Sequence, residues 1–371
     1  MQTNNRILVE TKNGGVMMST LRSLSDWITR EALSFSMAST VTLNMAIERL
    51  ITSLDPSIKL LGFGEALHGG EDFLILRNRL FQRLAEFHGY SAITIESSFS
   101  KGDIVNEYVN GRGSVLYETI QDTGFTHGFG RVNANRELVE WMKQYNADPA
   151  HHVKLRFYGF DTPTEMSGTD SPRQVLRLVL DYLELLDSEN VQTRRERIEE
   201  LIGLDSDWEN PAAMMDPTKS IGLSNAATAL RIELEDIITE LQVHRPELID
   251  ASGNDEYLEA VHYASVARWL LNYHAEMARN SQKRISKGLG MRDAMMADNL
   301  VYIASRESDR GKVLVFAHNQ HLKRTNAKWQ LGPNLVQWSP AGSHLTKLFG
   351  STVRVHRLGR GRIRGKWYWT T

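Results

Sequence analysis

The sequence has no cysteine and almost no excess of either charge. Zero cysteines in 371 residues exclude disulfide bonds, thiolate metal ligands and a cysteine nucleophile, and they fit a reducing compartment. The formal net charge of −2 argues against general nucleic-acid binding, which requires a basic surface. Because 41% of the residues are hydrophobic, the chain can still bury a large core. We therefore expect a globular protein with no nucleic-acid partner.

Long hydrophobic runs and one common catalytic motif are also missing. No segment reaches the roughly 18 uninterrupted apolar residues that a membrane span requires, and residues 1–15 have no apolar signal-peptide core. We predict a cytoplasmic protein without membrane association, in which residues 1–20 form a disordered extension and Met17 or Met18 is an alternative start. Because no Gly-x-Ser-x-Gly occurs, a serine-hydrolase elbow is not supported.

Four short apolar runs each end at a polar residue that can exchange a proton. In chain order these residues are Glu65, Glu96, Asp161 and His318. Apolar runs of this length, separated by helical sequence, are typical of parallel strands buried on both faces. The carboxyl ends of parallel strands meet at one edge of a sheet, where α/β proteins bind ligands. We predict an α/β fold with a mainly parallel central sheet flanked by helices, and a site at that edge.

The middle of the chain has helical periodicity and no strand signal. We predict that residues 165–285 form an inserted helical subdomain that roofs the active-site crevice; the alternative is a purely structural layer. Residues 21–164 and 286–371 then form the α/β catalytic core. Within this core we also predict amphipathic helices at 21–33 and 41–54 and further strands at 353–358 and 366–369.

The first apolar run leads into a glycine-rich turn that carries two titratable groups, Glu65 and His68. Glycines on both sides of this pair allow a sharp turn and a close approach of the backbone to a ligand. A histidine with a near-neutral pKa can take a proton from water, and a neighbouring carboxylate can fix its tautomer. The pattern favours His68 as a general base and direct attack by water.

Arg77 lies about one and a half turns into the helix predicted to follow this loop. Its guanidinium either points back at the site and stabilises an oxyanion, or is a solvated helix charge like that of Arg79. A later stretch, residues 123–136, is broken by glycines and carries His127, Phe129 and Arg131. Loops of this composition more often bind than merely connect, so we predict substrate contacts there.

Five short motifs, in this order, resemble the erythromycin esterase family. They are Gly64-Glu65-Ala66-Leu67-His68-Gly69, Ile93-Thr94-Ile95-Glu96, Tyr158-Gly159-Phe160-Asp161, Arg292-Asp293 with Met296 and Asn299, and Ala317-His318-Asn319-Gln320-His321. The resemblance extends over roughly residues 58–350 and is weakest in the helical segment. It implies a hydrolase in which water attacks an ester or macrolactone carbonyl.

The resemblance also implies roles for individual residues. It makes His68 the general base, helped by Glu65, Glu96 and either His318 or His321, and Arg77 matches the family's arginine. Together with the positions of the motifs, it predicts substrate contacts from His321, Asp161, Asn319, Arg292, His127, Phe129 and Arg131. Two departures, Leu67 and Gly70 where the family commonly has threonine, lie in the first loop. The expected partner is a small-molecule ester or lactone, and no cofactor is expected.

Two alternatives remain open from the sequence. The first is a metal-dependent hydrolase. Zinc or manganese could be bound by the side chains of Glu65, His68, Glu96, His318 and His321. Against it, Glu-x-x-His in a loop lacks the helical register of His-Glu-x-x-His. The other is a non-catalytic protein that binds haem or another small molecule, with a histidine as axial ligand.

Overall fold

A computed structural model gives the structure of the protein. It describes residues 33, 35–113, 116–162, 164–165, 168–185 and 188–350, with the backbone alone at 165, 168 and 188. It also describes the backbone of four short strands near the two ends of the chain, at 7–10, 16–19, 353–358 and 369–370. The helix predicted at 21–33 lies outside the described residues except for its last position.

The described strands are numbered in chain order. They are β1 (Ile7–Glu10), β2 (Val16–Ser19), β3 (Leu60–Glu65), β4 (Tyr90–Ser98), β5 (Arg156–Asp161), β6 (Thr164–Glu165), β7 (Gly168–Thr169), β8 (Lys312–His318), β9 (Ala327–Leu331), β10 (Asn334–Trp338), β11 (Val353–Leu358) and β12 (Trp369–Thr370). Six of them form the central sheet in the order β12-β11-β3-β8-β4-β5. All neighbours in this sheet are parallel except the edge pair β11 and β12. The prediction of a mainly parallel sheet is confirmed.

The described α-helices are also numbered in chain order. They are α1 (Thr40–Thr52), α2 (Glu71–Phe87), α3 (Phe99–Val109), α4 (Tyr117–Ile120), α5 (Asn133–Ala147), α6 (Arg173–Leu183), α7 (Ser188–Ile202), α8 (Asp205–Trp208), α9 (Asn225–Val243), α10 (Arg245–Ser252), α11 (Asn254–Met277), α12 (Arg284–Arg306), α13 (Asn319–Leu322) and α14 (Ala341–Phe349). No helix in the described part of the chain combines the length and apolar character that crossing a bilayer requires.

Two hydrophobic cores lie on the two faces of the sheet, because successive side chains of a strand point to opposite faces. Leu61 and Phe63 of β3 pack with α1, α2, α3 and α5 on one face. Leu60, from the same strand, packs with α6, α7, α9, α11 and α12 on the other. Both faces of β3 are buried, so its apolar run is continuous rather than alternating. The result is a three-layer arrangement of helices, sheet and helices.

The helices between residues 165 and 285 belong to the second of these cores. Buried side chains of α6, α7, α9, α10 and α11 form one cluster with residues of β4, β5 and β8. The segment is therefore joined to the sheet by a continuous apolar core. Whether it also roofs the crevice stays a prediction.

Candidate active site

The carboxyl edge of the sheet brings together the four polar residues that end the apolar runs. Glu65 closes β3 and is the register partner of His318, which closes β8. Glu96 lies near the end of β4, and Asp161 is the last residue of β5. Glu65, Glu96 and Asp161 are at most 2% exposed. Three acidic groups this deeply buried require paired charges or hydrogen bonds nearby.

Glu65 and His68 form a hydrogen-bonded pair at the edge of this cluster. Nδ1 of His68 lies 2.7 Å from Oε1 of Glu65, and 39% of the His68 side chain is exposed. Burial would lower the pKa of His68, but the hydrogen bond with Glu65 and the charges of Glu96 and Glu65 outweigh it and raise the pKa above its ordinary 6.5. Because Nδ1–H donates to the carboxylate, the lone pair of Nε2 is left for another proton.

Glu96 is the hub of the cluster. Its Oε2 accepts a hydrogen bond of 2.8 Å from the backbone N–H of His318. Its Oε1 lies 3.2 Å from Nε2 of His321, 3.3 Å from Nη2 of Arg292 and 3.6 Å from Nε2 of His68. Burial would raise the pKa of Glu96, but His321, followed by Arg292, holds it well below its ordinary 4.5. Glu96 is therefore an ionised carboxylate.

A β-bulge explains why β4 presents Glu96 at this point. Ile95 pairs with Gly159 of β5, whereas Ser98 pairs with Asp161, so β4 contains an extra residue between them. Bulges bend a strand and redirect its side chains, and they are common beside active sites.

His321 is a buried imidazolium between two carboxylates. Its Nδ1–H donates to Oδ1 of Asp293 over 2.9 Å, and its Nε2 faces Glu96. Burial would lower the pKa of His321, but the charges of Asp293 and Glu96 raise it to about 10. Asp293 also accepts from the indole N–H of Trp338 and the backbone N–H of Ala341. Asp293 belongs to the Arg292-Asp293 motif, and the sequence predicted no role for it.

His318 is held as a neutral ring. Its Nε2–H donates to the carbonyl oxygen of Ala66 over 3.1 Å, and its Nδ1 accepts from the backbone N–H of Gln320 over 3.2 Å. Burial lowers its pKa below the ordinary 6.5. Because both ring nitrogens are engaged, His318 fixes the His68 loop and is less suited than His68 to take a proton.

Arg292, Asp161 and His127 form a second buried group beside Glu96. Arg292 donates from Nε to Oδ1 of Asp161 over 2.9 Å and from Nη2 to Oδ2 over 2.5 Å. His127 places Nε2 3.1 Å from the same Oδ2. Burial would raise the pKa of Asp161, but Arg292 and His127 hold it below its ordinary 3.8. His127 has φ of 57°, a left-handed backbone that non-glycine residues seldom adopt.

Arg77, predicted either to point at the site or to be a solvated helix charge, is buried and therefore not solvated. It is 1% exposed, and its Nε and Nη2 donate to Oδ1 of Asn78. The guanidinium lies 4.9 Å from the ring centroid of Phe316. Burial lowers the pKa of Arg77 to about 9, although the charge of Glu65 opposes this shift.

The remaining predicted substrate contacts, Phe129, Asn319 and Arg131, differ in their surroundings. The ring of Phe129 is 5.4 Å from that of His68, between centroids. Asn319 follows His318, and its side chain lies so near Gly64 that a Cβ there would be 2.3 Å from Oδ1. Arg131 lies apart: its side chain is 72% exposed and pairs with Asp122.

One group of the described residues has ligand atoms close enough to hold a metal ion: Glu96, His127 and Asp161. However, the guanidinium of Arg292 already donates to both oxygens of Asp161 and lies 3.3 Å from Glu96. A fixed cation at this position repels a metal ion. The donor set therefore does not fit a metal.

The fold and this edge cluster define a three-layer α/β protein with buried histidines and carboxylates grouped at the carboxyl edge of its sheet. A model of the erythromycin esterase family matches residues 85–365, and the chain belongs to that family. The resemblance seen in the motifs is confirmed. The match begins after Glu65, His68 and Arg77, so the assignment of these three residues to the site depends on the sequence motif and on the geometry.

Two curated relatives come from Escherichia coli. Erythromycin esterase type II is 24% identical over 298 residues, which cover 79% of this chain and 66% of the relative. Erythromycin esterase type I is 22% identical over 310 residues, covering 80% and 69%. The chain thus spans just under two thirds of the length of the type II enzyme.

Solved structures share the fold at low sequence identity. A Bacillus cereus protein has a TM-score of 0.71 at 20% identity, covering 91% of this chain and 74% of that one. A succinoglycan biosynthesis protein has a TM-score of 0.66 at 20% identity, covering 90% and 74%. A mutant of the erythromycin esterase EreC, in its open conformation, has a TM-score of 0.61 at 19% identity, covering 87% and 78%.

Proposed function

We propose that this protein is a hydrolase of small-molecule esters or lactones, with His68 as the general base. The observation that carries the proposal is the His68–Glu65 pair: Nδ1 lies 2.7 Å from a buried carboxylate while 39% of the side chain remains exposed. Membership of the erythromycin esterase family supports the same class of reaction.

In the proposed mechanism, Nε2 of His68 takes a proton from a water molecule as its oxygen attacks the ester carbonyl. Glu65 and Glu96 stabilise the imidazolium that forms, because both carboxylates lie beside the ring. His68 then returns the proton to the leaving alcohol oxygen as the tetrahedral intermediate collapses. General base catalysis of this kind contributes ~100- to 10,000-fold.

The two buried cations beside Glu96 keep this carboxylate negatively charged. Protonated His321 and Arg292 hold Glu96 ionised, so Glu96 can stabilise the imidazolium without competing for the water proton. The oxyanion role expected for Arg77 is less well supported, since its guanidinium is 1% exposed. We propose that Arg77 acts through Glu65 instead.

The identity of the substrate rests on comparison alone. The names of the two Escherichia coli relatives make a macrolide lactone the first candidate. One similar structure is a succinoglycan biosynthesis protein, so other esters need testing as well. We propose that residues 123–136 and the helices of 165–285 determine which substrates fit.

The test is a screen of macrolides, simple lactones and aryl esters, with products identified by mass spectrometry. We expect hydrolysis, seen as the addition of one water to each substrate molecule. This activity should be lost in His68→Ala and retained in His152→Ala, a matched control because His152 is an exposed surface histidine.

Dialysis against a chelator should leave turnover unchanged, whereas a metal hydrolase would lose its activity. An intense Soret band in the absorption spectrum would instead favour a haem-binding protein.

A further inference from the structure

A small cavity is lined by Glu65, the carboxylate of the Glu65–His68 pair. Its volume is about 10 Å³, which is close to the space that a single buried water needs, about 10–15 Å³. The polar residues that line it are Glu65, Glu96, Arg77 and Asn135, and Phe129 and Phe316 line it as well. Both oxygens of Glu96 already have partners, in the backbone N–H of His318 and in His321 and Arg292.

Two buried acceptors on this cavity have no hydrogen-bond partner among the described residues. They are Oε2 of Glu65 and Oδ1 of Asn135, in residues that are 2% and 1% exposed. The orientation of the Asn135 amide is fixed, because its Nδ2 donates to the carbonyl oxygen of Phe129 over 2.8 Å. Leaving a buried acceptor without a hydrogen bond costs its full desolvation penalty, so two such acceptors together point to a bound donor.

Arg77, the cationic residue of the cavity, has unused donors. It uses only Nε and Nη2, both toward Asn78. It is 1% exposed, and no carboxylate in the described part of the chain forms an ion pair with it. Apart from the already paired Glu96, the cavity thus has one cationic donor and two acceptors without a partner among the described residues, one of them anionic.

The balance of these groups selects the ligand. A cation would be attracted by the two oxygens but repelled by the guanidinium. An anion would be attracted by the guanidinium but repelled by the carboxylate of Glu65. A water molecule accepts one hydrogen bond from Arg77 and donates one each to Glu65 and Asn135, which satisfies all three. We propose that Arg77, Glu65 and Asn135 hold one structural water, and that Asn135 is a positioning residue that acts through this water on the Glu65–His68 pair.

The physical consequence is a fixed Glu65. One oxygen of this carboxylate holds Nδ1 of His68, and the water would hold the other, so the carboxylate cannot rotate away from the ring. The catalytic part of this inference rests on the proposed hydrolase function. The water itself does not, because it is detected without any substrate.

The first experiment is a high-resolution crystal structure of the wild-type protein. We expect a density peak about 2.6–3.2 Å from the guanidinium of Arg77, Oε2 of Glu65 and Oδ1 of Asn135. No peak in the cavity, or a peak that contacts neither acceptor, would overturn the inference while leaving the proposed hydrolase function intact.

The second experiment removes one acceptor. Asn135→Leu keeps the approximate volume, and NMR titration of the His68 ring measures its pKa directly. We expect that pKa to fall by about half a unit or more, because a freely rotating Glu65 holds the imidazolium less well. On a substrate that the wild type hydrolyses, kcat should fall about 10-fold from misplacement of the base, with KM little changed.

Asn146→Leu is the matched control. Asn146 is also a buried asparagine, 9% exposed, and it bridges to both backbone groups of Leu155, away from the site. It should lose stability without changing the pKa of His68. An unchanged His68 pKa in folded Asn135→Leu would refute the positioning role. If that variant does not fold, the same titration on Asn135→Ala, together with the wild-type density, decides the matter.

Discussion

Oε1 of Glu65 lies 2.7 Å from Nδ1 of His68, three residues further along the chain. The carboxylate is fixed at the end of a buried strand, whereas the histidine lies in the turn that follows. A rigid acceptor on a sheet thus orients a base on a loop. This geometry determines which nitrogen carries the proton and leaves Nε2 free to accept another.

Replacing His68 by alanine should remove most of the contribution of the base. We expect kcat to fall at least ~100-fold. The melting temperature should change little, because the side chain is 39% exposed. Single-turnover kinetics and calorimetry on the same preparation measure the two effects. Near wild-type turnover in this variant would refute the assignment of the base.

The activity should fall as the pH drops, because the base must be neutral. The pKa of His68 is raised above 6.5, so the acidic limb of kcat/KM should lie above that value in the free enzyme. In Glu65→Gln the imidazolium loses its partner, so the limb should move to lower pH while the plateau falls. A limb at the same pH in both proteins would mean that another group titrates.

His321 should stabilise the fold most strongly at neutral and acidic pH. Its folded pKa is about 10 against an ordinary 6.5, so its contribution is fully present below about 6.5 and is lost as the pH rises through the folded value. His321→Gln should therefore cost about 3–5 kcal/mol at neutral pH and less near pH 10. Urea unfolding at several pH values measures the difference.

His274 provides the control for this titration. It is buried, and burial lowers its pKa to about 4, so its imidazole stays neutral in the folded protein at neutral and alkaline pH. The cost of His274→Gln should not vary between about pH 7 and pH 10. A parallel pH trend in both variants would place the titration elsewhere.

Phe125 and Phe129, both in the 123–136 stretch, should behave differently. Phe129 lies beside His68, so Phe129→Ala should raise KM for large substrates and spare a small aryl ester. Phe125 is 4% exposed and packs on Phe157 in the core, so Phe125→Ala should cost about 3–5 kcal/mol of stability. Kinetics on both substrates and urea unfolding distinguish the roles; equal stability losses would remove the distinction.

The sequence was sufficient to place the edge of the sheet. Parallel strands buried on both faces leave continuous apolar runs, and the first polar residue after each run marks its carboxyl end. Glu65, Glu96, Asp161 and His318 were found in this way. Their grouping follows from the topology alone.

Partners from distant parts of the chain could not be predicted in this way. Asp293 contacts His321 from the middle of α12, and Asn135 reaches the cavity from α5. Neither follows a strand. Asp293 belongs to a family motif and Asn135 to the 123–136 stretch, but neither pattern shows which residue each one contacts. The β-bulge at Glu96 and the charge of His321 likewise depend on neighbours that only the folded chain supplies.

Helix α3 was not predicted from the sequence either. Its packing against the sheet depends on one glycine, Gly102. A Cβ at Gly102 would lie 2.4 Å from the backbone nitrogen of Gly159 in β5, so helix and strand approach more closely than any side chain allows. Gly102→Ala must push them apart and should cost about 1–3 kcal/mol or more. Because β5 ends at Asp161, the Arg292–Asp161 pair should also loosen.

Gly290→Ala is the matched substitution, since Gly290 also lies within a helix. The nearest atom to its Cβ would be Cβ of Trp338, at 3.8 Å, which is ordinary contact. Without a clash, the better helix propensity of alanine should stabilise the protein by about 0.5–1 kcal/mol. Urea unfolding of the two variants should therefore give changes of opposite sign. Equal changes would show that helix propensity, and not the approach of Gly102 to β5, controls the stability of α3.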